Sequence, residues 1–137
     1  MNPARFLPSA AYRKAGILVV SEHLNGTQPA TAGNYGTFFT APYKCVVLGI
    51  NVVHGTASTS GTVQVERLQG TEAKTTGDDL LTAAISTAGT ADTVNAGTLT
   101  TVDYLQLAAG DRLGLVNAGT LTSGADLCVT VTMAPIP

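Results

Sequence analysis

The chain has 137 residues, of which only 12% are Asp, Glu, Lys or Arg, and its formal net charge is −2. This length fits one domain with a buried core. Nucleic-acid binding needs a clustered basic surface, and a membrane span needs about 18 consecutive apolar residues, so the sequence predicts no nucleic-acid partner and no membrane partner.

The surface is expected to be poor in charge. A typical soluble domain carries roughly twice this share of charged residues. Here glycine is abundant, with 15 residues, and tryptophan is missing. We interpret this composition as that of a surface covered largely by other protein. The alternative is a small sandwich with a neutral, threonine-rich exterior.

Residues 1–16 are predicted to form an extended arm. They show neither helical nor strand periodicity, contain two prolines, and sum to +3, whereas the remaining residues sum to −5. The alternative is a frayed terminus. An arm that docks on a neighbouring protein would use its apolar and basic side chains, and the predicted contact residues are Arg5, Phe6, Leu7, Tyr12, Arg13 and Lys14.

The first half of the remaining chain, residues 17–137, predicts three strands. Ile17–Val20 is a short apolar run typical of a buried strand, and Asn25-Gly26 and Gly33-Asn34 mark a loop. Gly36–Thr40 predicts a strand that stops at Ala41-Pro42, because proline cannot donate to a ladder.

The run from Cys45 to His54 is the longest apolar segment. Strict alternation assigns Val46, Leu48, Ile50 and Val52 to the core face. The opposite face is only partly polar, so we expect another subunit, a loop or the arm to cover it. Its subunit-interface candidates are Cys45, Val47, Asn51 and Val53.

The second half shows clearer alternation. Thr62–Leu68 predicts a strand with Val63 and Val65 inward and Glu66 outward, and Asp126–Met133 predicts a closing strand with Leu127, Val129, Val131 and Met133 inward. Gly110-Asp111 predicts a turn into a strand that buries Leu113 and Leu115. Residues 78–85 favour one or two helical turns, because acids begin the segment and alanines follow, with a strand over 83–86 as the alternative. The motif NAGTLT occurs twice, at 95–100 and 117–122.

These patterns predict an all-β fold, an antiparallel two-sheet sandwich with about seven or eight strands and at most one or two helical turns. They do not predict an enzyme. His23 and His54 stand in unrelated contexts, and Cys45, Cys128 and His54 lack the spacing of a metal site. Asp78-Asp79 is more typical of a solvated helix start than of a catalytic pair. We therefore expect no catalytic residue, no metal ligand and no cofactor.

The N-terminus lacks the continuous apolar stretch of a signal peptide, so synthesis in the cytoplasm is expected. Disulfides are uncommon there, so we expect Cys45 and Cys128 to be free thiols, with a disulfide as the alternative.

Two resemblances follow from these residues. Phe39-Thr40-Ala41-Pro42, the segment from Leu107 to Leu113 (LAAGDRL) and the closing strand resemble the jelly-roll sandwiches of the tumour necrosis factor and complement type. That resemblance implies a jelly-roll-like sandwich that trimerises. The abundance of Thr, Gly and Ala and the proline-bearing arm resemble small bacteriophage head proteins of the decoration, cement and head-fibre kinds.

The second resemblance implies a structural virion protein, assembled in the host cytoplasm, that decorates and stabilises a phage head. Its partners would be further copies of itself, as a dimer or trimer, and the major capsid protein. The alternative is a tail- or fibre-associated module that binds a receptor or a sugar.

Overall fold

The computed structural model describes residues 16–31 and 34–137, without the side chains of Asn34 and Tyr35. The predicted fold class is confirmed: within the described residues the chain forms a sandwich of two antiparallel sheets. Six strands are long, namely β1 (Leu18–Thr27), β2 (Asn34–Thr40), β3 (Cys45–Thr56), β4 (Thr62–Leu68), β9 (Arg112–Ala118) and β10 (Ala125–Pro135). Four have two residues each, namely β5 (Asp78–Asp79), β6 (Ile85–Ser86), β7 (Asn95–Ala96) and β8 (Gln106–Leu107).

The first sheet has the order β1-β10-β3-β7, with β8 also paired to β3. The second sheet has the order β2-β9-β4-β5, with β6 also paired to β4. Each early strand therefore pairs with a late one, and the first four strands alternate between the sheets. The two antiparallel sheets form the sandwich that the sequence predicted.

The core lies between the two sheets and consists of aliphatic side chains from both. The predicted inward residues of the closing strand are all buried, as are Val63, Val65, Leu113 and Leu115. Strict period-2 alternation was therefore a reliable guide in β4, β9 and β10. Burying each such side chain contributes on the order of 1.5–3 kcal/mol.

Strand β3 departs from the predicted alternation. Thr132 pairs with Gly49 but the next residue, Met133, pairs with Val47, so Leu48 is an extra residue in a β-bulge. The bulge reverses which side of the strand faces inward. Cys45 and Val47 are buried in the core at 0% and 1% exposure, whereas Leu48 is 50% exposed. The prediction that Leu48 faces the core, and that Cys45 and Val47 face outward, was wrong.

Strand β1 also differs from its prediction. It runs through Asn25-Gly26, where a loop was expected, and its pairing with β10 shifts between Leu24 and Thr27. Gly26 adopts a positive φ of 76° at this irregularity, and its N–H donates to Asp126 Oδ1 at 2.8 Å. Ile17 and Val19 were expected in a buried run but are 59% and 55% exposed, because β1 is half-exposed at the sheet edge.

The segment 78–85 contains no helix: Asp78 and Asp79 form β5, Ile85 begins β6, and the residues between them are irregular apart from a bridge from Leu81 to Leu99. The helix found among the described residues is one turn, α1 (Val102–Leu105). No helix in this part of the chain is long and apolar enough to cross a membrane. The predicted arm falls outside the described residues except for Gly16.

Candidate protein-interaction surface

The outer face of the first sheet carries a surface without charged side chains, which the exposed Asp126 of β10 borders at one end. The strand registers place three rows of outward residues across β1, β10 and β3. We call this surface the open face, and it consists of Val19, Thr132 and Leu48 with Gly49, then Ser21, Thr130 and Asn51, then His23, Cys128 and Val53. It contains no Asp, Glu, Lys or Arg, although the body formed by residues 17–137 carries −5. Val19 and Leu48 are 55% and 50% exposed, which makes this surface a candidate for contact with another protein.

Two of the four predicted interface residues lie on the open face, and two do not. Asn51 and Val53 are half-buried there, opposite Thr130 and Cys128. Cys45 and Val47 lie on the core side, and Cys45 Sγ is 3.9 Å from Met133 Sδ. Burial raises the pKa of the Cys45 thiol, and the nearby Asp111 carboxylate raises it further, so this thiol is held in its neutral form.

Sequence reasoning missed Val19, Leu48 and Thr132, which form the most apolar row. The signal for Val19 was present in the sequence LVVSEHLN, because alternation places Val19 on the same strand face as the polar residues Ser21, His23 and Asn25. The signal for Leu48 was absent, because a β-bulge leaves no mark on a run of aliphatic residues.

The outer face of the second sheet is different, because the chain's own loop 69–77 covers part of it. Leu68 is fully buried there although it does not belong to the core cluster. Glu66, predicted to point outward, is only 5% exposed, and its Oε2 accepts a 2.7 Å hydrogen bond from the Thr75 N–H. The two sheets thus differ: the second is partly closed by its own chain, whereas no described residue closes the first.

Electrostatics at Glu66 follow from this covering loop. Desolvation raises the pKa of the Glu66 carboxyl, and the nearby carboxylates of Asp79 and Glu72 raise it further. Backbone N–H groups of Thr75 and Gly77 oppose these effects but do not cancel them. The Glu66 side chain therefore stabilises the covering loop, because its acceptor oxygen binds the turn that covers Leu68.

The residues considered for chemistry are not brought together. Cys45 is in the core, Cys128 is on the open face, and His54 is buried with Nε2 3.1 Å from Gly89 O. Both cysteines are free thiols. Asp78 is not paired with Asp79 but forms an ion pair with Arg67 at 2.6 Å. Among the residues that the structure describes, no three His, Cys, Asp or Glu side chains gather as a metal site would require.

Cys128 and His23 face each other across neighbouring strands of the open face, with Sγ and Nε2 3.6 Å apart. Thr130 Oγ1 lies 3.8 Å from the same sulfur. A thiol and an imidazole can make a nucleophile, but this requires a third group that orients the imidazole. The described contacts of His23 supply none, so the pair is best explained as part of the neutral surface.

No protein-family model matches the chain, and no curated protein matches it either. Solved structures with a similar strand arrangement include the cyanophage Pam1 capsid asymmetric unit, at 17% identity and a TM-score of 0.46, covering 88% of this chain and 84% of that one. Another is a Bacillus endospore appendage from a family of disulfide-linked pili, at 12% identity and a TM-score of 0.41, covering 88% and 89%.

A third is infectious bursal disease virus, Gx strain, at 14% identity and a TM-score of 0.39, covering 85% of this chain and 32% of that one. Two of these three similar chains therefore come from viral particles. At these identities and scores, the likeness assigns neither a family nor a function to this chain.

Proposed function

We propose that the chain is a non-enzymatic structural protein of a bacteriophage virion, and specifically a capsid decoration protein. The observation that carries the proposal is the open face: a rigid, charge-free sheet surface on an otherwise acidic body, left uncovered by the described chain. Such a surface would stabilise an assembly by being buried in a protein contact, since an interface of standard size removes on the order of 1,600 Å² from water. Burial between neighbouring subunits would stabilise a shell against internal pressure.

The partner that best fits the open face is a second copy of the chain. Two bodies of charge −5 repel one another wherever their acidic surfaces meet, whereas the open face of each presents only neutral side chains. Association through this face therefore brings apolar surface together with the least electrostatic cost. Whether the assembly is a dimer or a trimer is left open by this argument.

The open face by itself is smaller than a stable interface. Three strands spaced at 4.8 Å and three rows spaced at about 6.8 Å cover roughly 300 Å², against roughly 800 Å² per partner in a standard interface. Further contact surface is needed, and we propose that residues 1–16 supply it by docking on a sister subunit or on the major capsid protein. In this proposal Phe6, Leu7 and Tyr12 bind, while Arg5, Arg13 and Lys14 steer toward acidic surface.

The contribution of the arm can be separated into its apolar and charged parts. Each buried large apolar side chain contributes about 1.5–3 kcal/mol, whereas an exposed ion pair contributes about 0–1 kcal/mol. Phe6→Ala should therefore weaken association more than Arg5→Ala, and added salt should weaken it only modestly. A truncated chain lacking residues 2–14 that associates as tightly as the full chain would contradict this role.

The role of the open face is tested by sedimentation of the full-length protein over a range of concentrations. Val19→Asp places a charge in the most apolar row, where a partner would have to bury it. The expected result is a shift from oligomer to monomer. Val94→Asp is the matched control, because Val94 is 65% exposed but lies outside the open face. Equal association of both variants and the unaltered chain would contradict the proposed contact.

The decoration role is tested on phage particles that carry the protein. Particles that lack it should still assemble but should release DNA at a lower temperature, and adding the purified full-length chain should restore their stability. Val19→Asp should restore it less well than Val94→Asp. Particles that are equally stable with and without the protein would contradict the proposal.

A further inference from the structure

One end of the sandwich contains a small, partly enclosed cavity whose wall includes polar side chains at or just after the ends of three strands. Gln28 follows β1, His54 is near the end of β3, and Asn117 is near the end of β9. These side chains are only 9%, 2% and 3% exposed. Each directs one buried atom without a hydrogen-bond partner among the protein atoms, namely Gln28 Oε1, His54 Nδ1 and Asn117 Oδ1. Leaving a buried polar atom unsatisfied is unfavourable, so three in one cavity indicate a ligand.

Neighbouring contacts determine what two of these atoms can do. Gln28 Nε2 donates to Leu24 O at 3.2 Å, which fixes the amide so that Oε1 is the end left to accept. His54 Nε2 lies 3.1 Å from Gly89 O, and a carbonyl oxygen can only accept, so Nε2 carries the hydrogen. In the neutral imidazole Nδ1 is then a bare acceptor. A ligand that satisfies both acceptors through hydrogen bonds therefore donates at least two of them.

The size of the cavity restricts the ligand further. The space open to the centre of a water-sized sphere is about 10 Å³. That is close to the minimum of roughly 10–15 Å³ needed for one water molecule, and far too small for an organic ligand. Two other polar groups in its wall are already paired, since Ser58 Oγ and Thr87 Oγ1 lie 2.9 Å apart and the Gly61 N–H donates to Ser58 Oγ at 2.8 Å.

We propose that this cavity is the binding site of one structural water molecule. The water donates one hydrogen bond to Gln28 Oε1 and the other to His54 Nδ1. The Asn117 amide is its third partner: rotating that amide by 180° exchanges two groups of similar size and presents an NH₂ donor to the water oxygen. Three partners is the usual number for a buried water.

This water joins chain segments that are distant in sequence. It connects the residue after β1 to the ends of β3 and β9, and through His54 it connects all three to the 87–89 loop. The loops at this end are also closely packed, since a Cβ at Gly61 would come within 2.7 Å of both Ser58 Oγ and Thr87 Oγ1. The water is thus expected to hold this end of the sandwich rigid, independently of whether the open face binds a partner.

The proposal is tested by a high-resolution crystal structure of the full-length protein, together with hydrogen exchange in solution. The expected result is a single density peak of water strength within hydrogen-bond distance of Gln28 Oε1 and His54 Nδ1. An empty cavity would overturn the proposal. So would a peak that refines only as a heavier monovalent cation when sodium or potassium salts are varied.

A matched pair of variants tests the third partner. Asn117 and Asn95 occupy the same position in the two copies of NAGTLT, but Asn95 Nδ2 donates to Thr93 O and does not line this cavity. Asn117→Leu should lose the water and speed amide exchange at Gly61 and Thr87 roughly tenfold, while Asn95→Leu should leave both unchanged. Retention of the water and of slow exchange in Asn117→Leu would contradict the assignment. If Asn117→Leu does not fold, the density in the unaltered protein decides.

Discussion

Arg67 is the residue whose side chain joins the two sheets at one edge. Its guanidinium binds Asp78 in the second sheet, at 2.6 Å and 3.2 Å from Nη2 and Nε. Its Nη1 donates to the carbonyl oxygens of Asp103 and Gln106, which belong to α1 and the β8 strand of the first sheet, at 3.0 Å and 2.8 Å. A planar fork with several donors suits this position, and a lysine would lose that geometry.

Arg67→Ala should lower the free energy of unfolding by about 1.5–3 kcal/mol, because it removes several charge-assisted hydrogen bonds, of which all but one are partly buried. Arg67→Lys should recover less than half of this loss. Urea denaturation followed by circular dichroism measures both. Lys44→Ala is the control, because Lys44 is exposed. A loss no larger than that of Lys44→Ala would show that the inter-sheet contacts contribute nothing.

Glu66 makes stability depend on pH in a direction opposite to that of most carboxyls. Its folded-state pKa is raised above its ordinary value, so the folded protein binds this proton more tightly than the unfolded chain does. Stability from this group is therefore greatest at low pH and falls as pH rises from the unfolded pKa through the raised folded pKa. Above the folded pKa the whole cost of burying the charge is present.

Glu66→Gln removes that charge while keeping an oxygen that can accept the Thr75 N–H. Relative to the unaltered chain, this variant should gain stability as pH rises through the same interval, and the two should converge at acidic pH. Denaturant midpoints measured across pH 3–8 check this, with Glu22→Gln as the control on the other sheet. A difference that does not change with pH, or that shrinks as pH rises, would contradict the linkage.

At the scale of elements, the sequence predicted those strands whose alternation is uninterrupted. Aliphatic and polar residues alternate in β4 and β10, and in β9 Leu113 and Leu115 lie two residues apart on one face. The structure buries these expected members. The predicted exposure of a residue was wrong where contacts distant in sequence determine it. The bulge at Leu48 cannot be recognised in a run of apolar residues, and the burial of Glu66 depends on a loop that folds back over its strand. The bulge is the reason that two of the four interface candidates, Cys45 and Val47, were assigned to the wrong face of β3.

The bulge in β3 predicts opposite effects of the same substitution at two adjacent residues. Val47→Asp should prevent folding, because it places a carboxylate at a site that is 1% exposed in the core. Leu48→Asp should leave the fold intact, within about 1 kcal/mol, because half of that side chain is already exposed. Strict alternation predicts the reverse order. Thermal unfolding of the two variants distinguishes them, and a folded Val47→Asp beside an unfolded Leu48→Asp would show that the bulge is misplaced.

At the scale of the whole molecule, the two sheets differ in how far the chain covers their outer faces. The strand order leaves each sheet with an outer face, and the loop after β4 covers part of one of them. The open face of the other combines a lack of charge with exposed Val19 and Leu48. Composition alone indicated a surface suited to protein contact, but the residues that form it could be identified only from the pairing of β1, β10 and β3.

The central claim is that the protein decorates a capsid, and the most direct measurement is its copy number per particle. Purified particles would be analysed by gel densitometry against the major capsid protein, with imaging to locate the chain. The account predicts hundreds of copies, arranged with the symmetry of the shell on its outer surface. A few copies confined to a tail or to fibre tips would contradict it and would favour a receptor- or sugar-binding role instead.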